Sequence, residues 1–146
     1  MKKFFLIALV GLVTVGAHAQ TYFAQSISGI PTVLTAGTTN YPLASAPTIG
    51  AVKQRYLAFS TTMFGTSAVG ATNIYTLAPG VDGINYNTNA ADLVYATNAV
   101  NAASTTNTQT RSFDTGGYGY FKLIAITTTG TSTNLSASYG IKIQAP

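Results

Sequence analysis

The chain has no cysteine and no tryptophan, one histidine and no glutamate, and charged residues make up only 7% of it. Each absence excludes a class of chemistry. Without cysteine there is no disulfide, no thiolate nucleophile and no cysteine-ligated zinc site. The histidine, His18, belongs to an N-terminal segment that reads as a leader, so from Gln20 onward the sequence has no His, Cys or Glu. That excludes a Ser-His-Asp triad, a Cys-His pair and an imidazole metal site. A two-carboxylate glycosidase would have to draw on Asp82, Asp92 and Asp114, the three acids of the chain. The chain is therefore not expected to be an enzyme, and neither a metal nor a cofactor is expected. Beyond the leader the cations Lys53, Arg55, Arg111, Lys122 and Lys142 are scattered. They make no basic run, so nucleic acid is not an expected partner.

The first residues carry an export signal. Lys2 and Lys3 form a positive start, Phe4 to Gly16 is an apolar run, and Ala17 and Ala19 place small residues where a signal peptidase reads. The run is too short for a spanning helix, which needs about 20 residues. Residues 1–19 are thus expected to be a cleaved signal peptide. Residues 20–146 are expected to form a single secreted domain, extracellular or periplasmic, with no transmembrane segment. Removal of the two lysines lowers the formal charge from +4 to about +2. A chain of this size buries about two-thirds of its unfolded surface, enough for a core without covalent staples.

What the sequence does have is Thr, Ser, Asn, Ala and Gly, together with Tyr, Ile and Val. Disorder would call for low hydrophobicity and high net charge. Abundant β-branched and aromatic residues instead favour strands. The clearest period-two segment is the last: Leu135, Ala137, Tyr139, Ile141 and Ile143 alternate with Asn134, Ser136, Ser138, Gly140 and Lys142. A strand over 121–129 precedes it, and residues 129–133 are expected to join the two as an antiparallel hairpin. In that upstream strand Phe121, Leu123, Ala125 and Thr127 share one face, and Lys122, Ile124 and Ile126 the other. Further strands are expected at 54–64, 72–77, 83–86, 92–97 and 105–113, with one or two more in 22–35. Pro42 and Pro47 mark 37–50 as a long loop, and the Ala-rich stretch allows a short helix at 89–95. This is about seven or eight short strands separated by turns, the pattern of an all-β, antiparallel β-sandwich. A jelly roll or a small barrel fits the same pattern.

Candidate site residues lie in turn regions. Asp82-Gly83 and Asp114-Thr115-Gly116-Gly117 are turn signals, and the ordinary role of both aspartates is to hydrogen-bond their own turns. Asp114-Thr115-Gly116 also matches the Asp-Thr-Gly of aspartic proteases, but it occurs once and lacks the apolar run before it. Asp82 with Asn85, Asn87 and Asn89 offers oxygens to a hard cation, without the acidic density of a calcium loop. Tyr86, Tyr95, Tyr118 and Tyr120 fall at or near loops, where aromatic rings can stack on sugars. Tyr56, Tyr75 and Tyr139 fall within strands and read as core. A glycan site would be built from Asp82, Tyr86, Tyr118 and Tyr120.

Two motifs carry a family likeness: Val81-Asp82-Gly83-Ile84-Asn85-Tyr86, and Gly117-Tyr118-Gly119-Tyr120-Phe121-Lys122-Leu123, closed by Thr133 to Gly140. They resemble small uncharacterised β-sandwich proteins of phage structural regions and bacterial genomes. The resemblance spans residues 52–143 and implies a sandwich with a structural or surface-binding role and no catalytic residues. The chain departs from it in having Tyr86 where members often have Trp, and in its export signal.

The expected function is that of an exported, non-catalytic structural or surface-associated β-sandwich that assembles with itself or with other surface proteins. Ile124 and Ile126 are its candidate interface residues. A carbohydrate-binding module is the alternative.

Overall fold

The computed structural model describes residues 20–51, 56–67 and 70–143. The expected signal peptide, 1–19, lies outside the described residues. The elements are β1 (Gln20–Ser26), β2 (Val33–Leu34), β3 (Gly37–Asn40), β4 (Thr48–Ala51), β5 (Tyr56–Gly65), β6 (Ala71–Gly80), β7 (Val94–Val100), β8 (Thr105–Asp114), β9 (Tyr120–Thr129) and β10 (Ser132–Ile143). Two antiparallel sheets pack face to face. The first runs β1-β10-β5-β8, with β2 also on β10; the second runs β3-β9-β6-β7, with β4 also on β9.

The outermost place of each sheet is thus filled by two short strands in tandem, so ten strands occupy eight places. From β5 to β10 only β6 and β7 follow one another within a sheet; every other connection in that run changes sheets. That is the winding of a jelly roll. The all-β sandwich is confirmed, and the jelly-roll alternative is the one its connectivity follows.

The core is made where alternation faces inward from both sheets. Leu57, Phe59 and Met63 of β5 meet Tyr75 and Leu77 of β6 and Phe121, Leu123 and Ile126 of β9, all fully buried. The Phe59 and Tyr75 rings pack edge to face across the sandwich, with centroids 5.7 Å apart. Each such side chain contributes about 1.5–3 kcal/mol by leaving water. From β10, Leu135, Ala137 and Tyr139 are buried as their period-two pattern implies.

Four expectations are corrected. Residues 129–133 do not close a hairpin, because β9 and β10 lie in different sheets. Gly130, at φ 75°, turns the chain across the sandwich, and a Cβ there would sit 2.5 Å from the Gly70 carbonyl oxygen. Local sequence suits a hairpin and a crossover equally, and the partners already on β9 and β10 decide. Second, 37–50 is not all loop: β3 and β4 add to the edge of β9, separated by a turn in which Ser45 and Ala46 N–H donate to the Pro42 carbonyl. Third, no helix forms at 89–95. Asn87 and Asn89 side chains accept from the N–H groups of Asn89 and Ala91, making turns that lead into β7. Fourth, 83–86 is not a strand but a turn carrying one bridge, Gly80 to Tyr86.

A bulge in β9 changes the face assignment. Thr76 pairs with Ala125 but Leu77 with Leu123, leaving Ile124 as the extra residue. Inward alternation therefore switches from Phe121 and Leu123 to Ile126 and Thr128. Ile126 is core and Ile124 is half-buried on the outer side. The two do not share a face, which corrects the interface read from period two alone.

Candidate functional site

The loop β6–β7 and the loop β8–β9 meet at one end of the sandwich. There Pro79, Gly80, Val81, Asn85, Tyr86, Asn87 and Tyr118 line an open groove of about 310 Å³. Of the sequence-designated residues Tyr86 and Tyr118 line this groove, whereas Asp82 and Tyr120 are not part of its lining, and most of the four serve the loops themselves. Asp82 is fully exposed, and its Oδ1 accepts from the N–H groups of Ile84 (2.9 Å) and Asn85 (2.7 Å), while Oδ2 accepts from Asn85 Nδ2 (2.7 Å). Those donors, the Asn85 N–H foremost, hold its carboxyl below the usual carboxylate range. Asn87 Nδ2 donates to Asp92 Oδ2 (2.8 Å), and the Gly116 N–H donates to Asp114 Oδ1 (3.0 Å). Each acid thus braces a turn. Among the described residues no three His, Cys, Asp or Glu side chains gather in a metal-holding group.

The tyrosine rings cover glycine backbone. The Tyr86 hydroxyl donates to the Gly83 carbonyl (3.1 Å), and its ring packs so tightly on Gly80 that a Cβ there would lie 2.9 Å from Cδ1. Lys122 Nζ sits 4.8 Å from the centroid of the same ring and donates to the Leu43 carbonyl at 2.5 Å. Burial raises the Tyr86 hydroxyl pKa; hydrogen bonding to Thr48 opposes this, and the nearby Asp82 and Tyr120 reinforce it. Gly83, at φ 78°, carries the left-handed corner, and the Tyr120 ring lies 3.2 Å from where its Cβ would be. Tyr118 is half-buried and packs on the core while lining the groove. Tyr95 stands elsewhere, exposed on β7. Tyr75 and Tyr139 are buried as expected.

Sequence reasoning missed two features. Lys122 was grouped with Ile124 and Ile126 rather than with Tyr86. The second is a polar seam inside the sandwich. Asn73 and Asn98, paired across β6 and β7, are both fully buried. Asn73 bonds reciprocally with Ser132 of β10 at 3.1 and 3.2 Å. Asn98 Nδ2 donates to the carbonyls of Thr61 (3.0 Å) and Asn107 (3.2 Å), and Asn107 Nδ2 donates to the Ala99 carbonyl (2.5 Å). The available signal was that Asn73 shares a face with Tyr75 and Leu77, and Asn98 with Ala96 and Val100. Asn98 Oδ1 and the Tyr75 hydroxyl are buried without a hydrogen-bond partner of good geometry. Burial pushes the Tyr75 pKa up to about 12, although Asn73 is near enough to oppose the shift.

The outer face of the first sheet carries hydroxyls in rows. Ser26, Ser138, Ser60 and Thr110 lie side by side across four strands, and Ser136, Thr62 and Thr108 form the next row. Thr62 and Thr108 hydroxyls are 2.8 Å apart, and Thr110 Oγ1 donates to Ser60 Oγ at 3.1 Å. These cross-strand pairs use up part of the polar surface within the sheet.

No family model and no curated protein matches the sequence. Two solved structures show a likeness to this chain. One, a structure of infectious bursal disease virus Gx strain, is 15% identical with a TM-score of 0.38. The other, the T13 viral particle of the same virus, is 16% identical with a TM-score of 0.40. Each comparison covers 84% of this chain and 31% of the viral chain, so the chain spans about a third of the length of those proteins. Among the described residues no helix is long and apolar enough to cross a membrane.

Proposed function

We propose that this protein is an exported, non-catalytic structural subunit, a jelly-roll sandwich that coats a surface or assembles with copies of itself. The observation that carries the reading is the use made of its functional groups. Asp82, Asp92 and Asp114 brace separate turns. The broad face of the first sheet presents Ser and Thr hydroxyls in register. A surface of this kind suits contact with other surfaces better than turnover of a substrate. Light scattering after size exclusion tests it, using the chain as the cell exports it. Defined multiples of the subunit mass are expected; a monomer at every concentration up to the millimolar range contradicts it.

A glycan-binding reading draws support from the convergence of Tyr86 and Tyr118 on one groove. It is the weaker reading, because Tyr86 and Tyr120 already cover glycine backbone and Lys122 lies over the Tyr86 ring. Binding on a glycan array that Tyr118→Ala abolishes while the fold stays intact would reverse this order.

A further inference from the structure

β8 is a ten-residue strand that closes one side of the first sheet. Among the described residues it pairs with β5 alone, in an unbroken register from Tyr56–Asp114 to Gly65–Thr105. The Thr66 N–H, just past β5, donates to the Thr131 carbonyl, so the backbone groups of even-numbered β5 residues point to β10 and those of odd-numbered ones to β8. Asn98 Nδ2 reaches the carbonyls of both Thr61 and Asn107, which it can do only if those two oxygens lie together inside the β5–β8 ladder. Both observations tie Asn107, Gln109, Arg111 and Phe113 to β5. The N–H and C=O groups of Thr106, Thr108, Thr110 and Ser112 therefore face outward.

Proteins usually protect such an edge with proline, a bulge, a lysine or a short strand. β8 has no proline, no bulge, no lysine and a single cation, Arg111. We infer that the open edge of β8 is a strand-pairing surface for a second copy of this chain, joined antiparallel about a two-fold axis through Gln109. In that register Thr106 meets Ser112 and Thr108 meets Thr110 of the other copy, and every outward backbone group finds a partner. Arg111 falls opposite Asn107 and not opposite itself, so no like charges meet. The hydroxyl rows also continue from one sheet into the next. Such a contact is isologous and closes at two copies; a larger assembly would need another surface.

The inference rests on the self-assembly reading, and the experiment separates the two. Gln109→Cys would be the sole thiol of the chain. Antiparallel pairing holds the two copies of residue 109 as a non-hydrogen-bonded pair with Cα atoms about 4.5 Å apart, within disulfide range. Mild oxidation is expected to link most of this variant into dimers. Ser26→Cys, exposed on β1 across the sheet, is expected to link little. Thr108→Pro removes an outward N–H, which an edge strand tolerates, and is expected to weaken association about tenfold or more. If Thr108→Pro does not fold, Thr110→Lys is judged by the same measure. Should the parent chain associate while Gln109→Cys links no better than Ser26→Cys and the edge variants associate unchanged, the β8 edge is overturned and self-assembly stands. A parent chain that stays monomeric overturns both.

Discussion

The two sides of this sandwich are built to opposite rules. On one side the edge positions are chopped into β1 with β2 and β3 with β4. Pro31 falls between the first pair, Pro42 and Pro47 between the second, and register shifts interrupt β1 and β4. A neighbour's strand would find there no continuous row of donors and acceptors. On the other side β7 and β8 are unbroken. The β7 edge is partly closed by Asn107, which reaches across to the Ala99 carbonyl. The open edge of β8 has no comparable cover among the described residues. The contrast teaches that protection of an edge is a local property, written in prolines, bulges and amide caps, and that one strand here lacks it.

The largest expected effect separates the two sides of β8 itself. Gln109→Pro deletes a hydrogen bond to β5 and should lower unfolding free energy in denaturant by about 3 kcal/mol. Thr108→Pro, one residue away, should cost about 1 kcal/mol, because its N–H faces outward. Equal losses would break the assignment of open and closed residues. The second effect belongs to the core beneath both sides. The Tyr75 pKa is raised from 10.0 to about 12, so its contribution is fully present below pH 10 and is lost as pH rises towards 12. Two units correspond to about 2.7 kcal/mol at most. Thermal unfolding should show this loss, and Tyr75→Phe should remove it. The third sharpens the comparison between the edges. Asn98→Ala takes out the amide that joins β7 to β5 and β8 and should cost about 2 kcal/mol. Thr38→Ala, which removes an exposed hydroxyl contact to Thr127 on the interrupted side, should change stability by about 0.3 kcal/mol.

Much of this was legible in the sequence, and the residues show where legibility ends. Period-two alternation located β5, β9 and β10, because each buries one face; β8, also expected as a strand, buries no residue fully and turns only the half-buried Asn107, Gln109 and Phe113 inward. It misread 124–126 because a single bulge shifts the phase, and only the partner strand reveals a bulge. It missed β3 and β4 because prolines near a short edge strand look like loop. It took β9 and β10 for a hairpin because Thr129 to Thr133 is compatible with both a turn within a sheet and a passage between sheets. The site fared similarly. Tyr86 and Tyr118 line one groove and the Tyr120 ring lies beside Gly83, since turn residues gather at strand ends. Whereas Tyr86 folds back onto Gly80 within a single loop, that the ring of Tyr120 lies on Gly83 depends on a contact between segments far apart in the chain. The buried Asn73 and Asn98 were overlooked for the same reason: polar residues on an apolar face are satisfied by partners that sequence does not display.

Amide hydrogen exchange of β8, followed by NMR at increasing protein concentration, tests the central claim most directly. At low concentration the N–H groups of Asn107, Gln109, Arg111 and Phe113 should be protected and those of Thr106, Thr108, Thr110 and Ser112 should exchange freely. As concentration rises, the second set should become protected while amides of β2 and β3 stay unchanged. Outward amides of β8 that exchange at the same rate while the protein associates, or protection that appears instead along β2 and β3, would contradict the account.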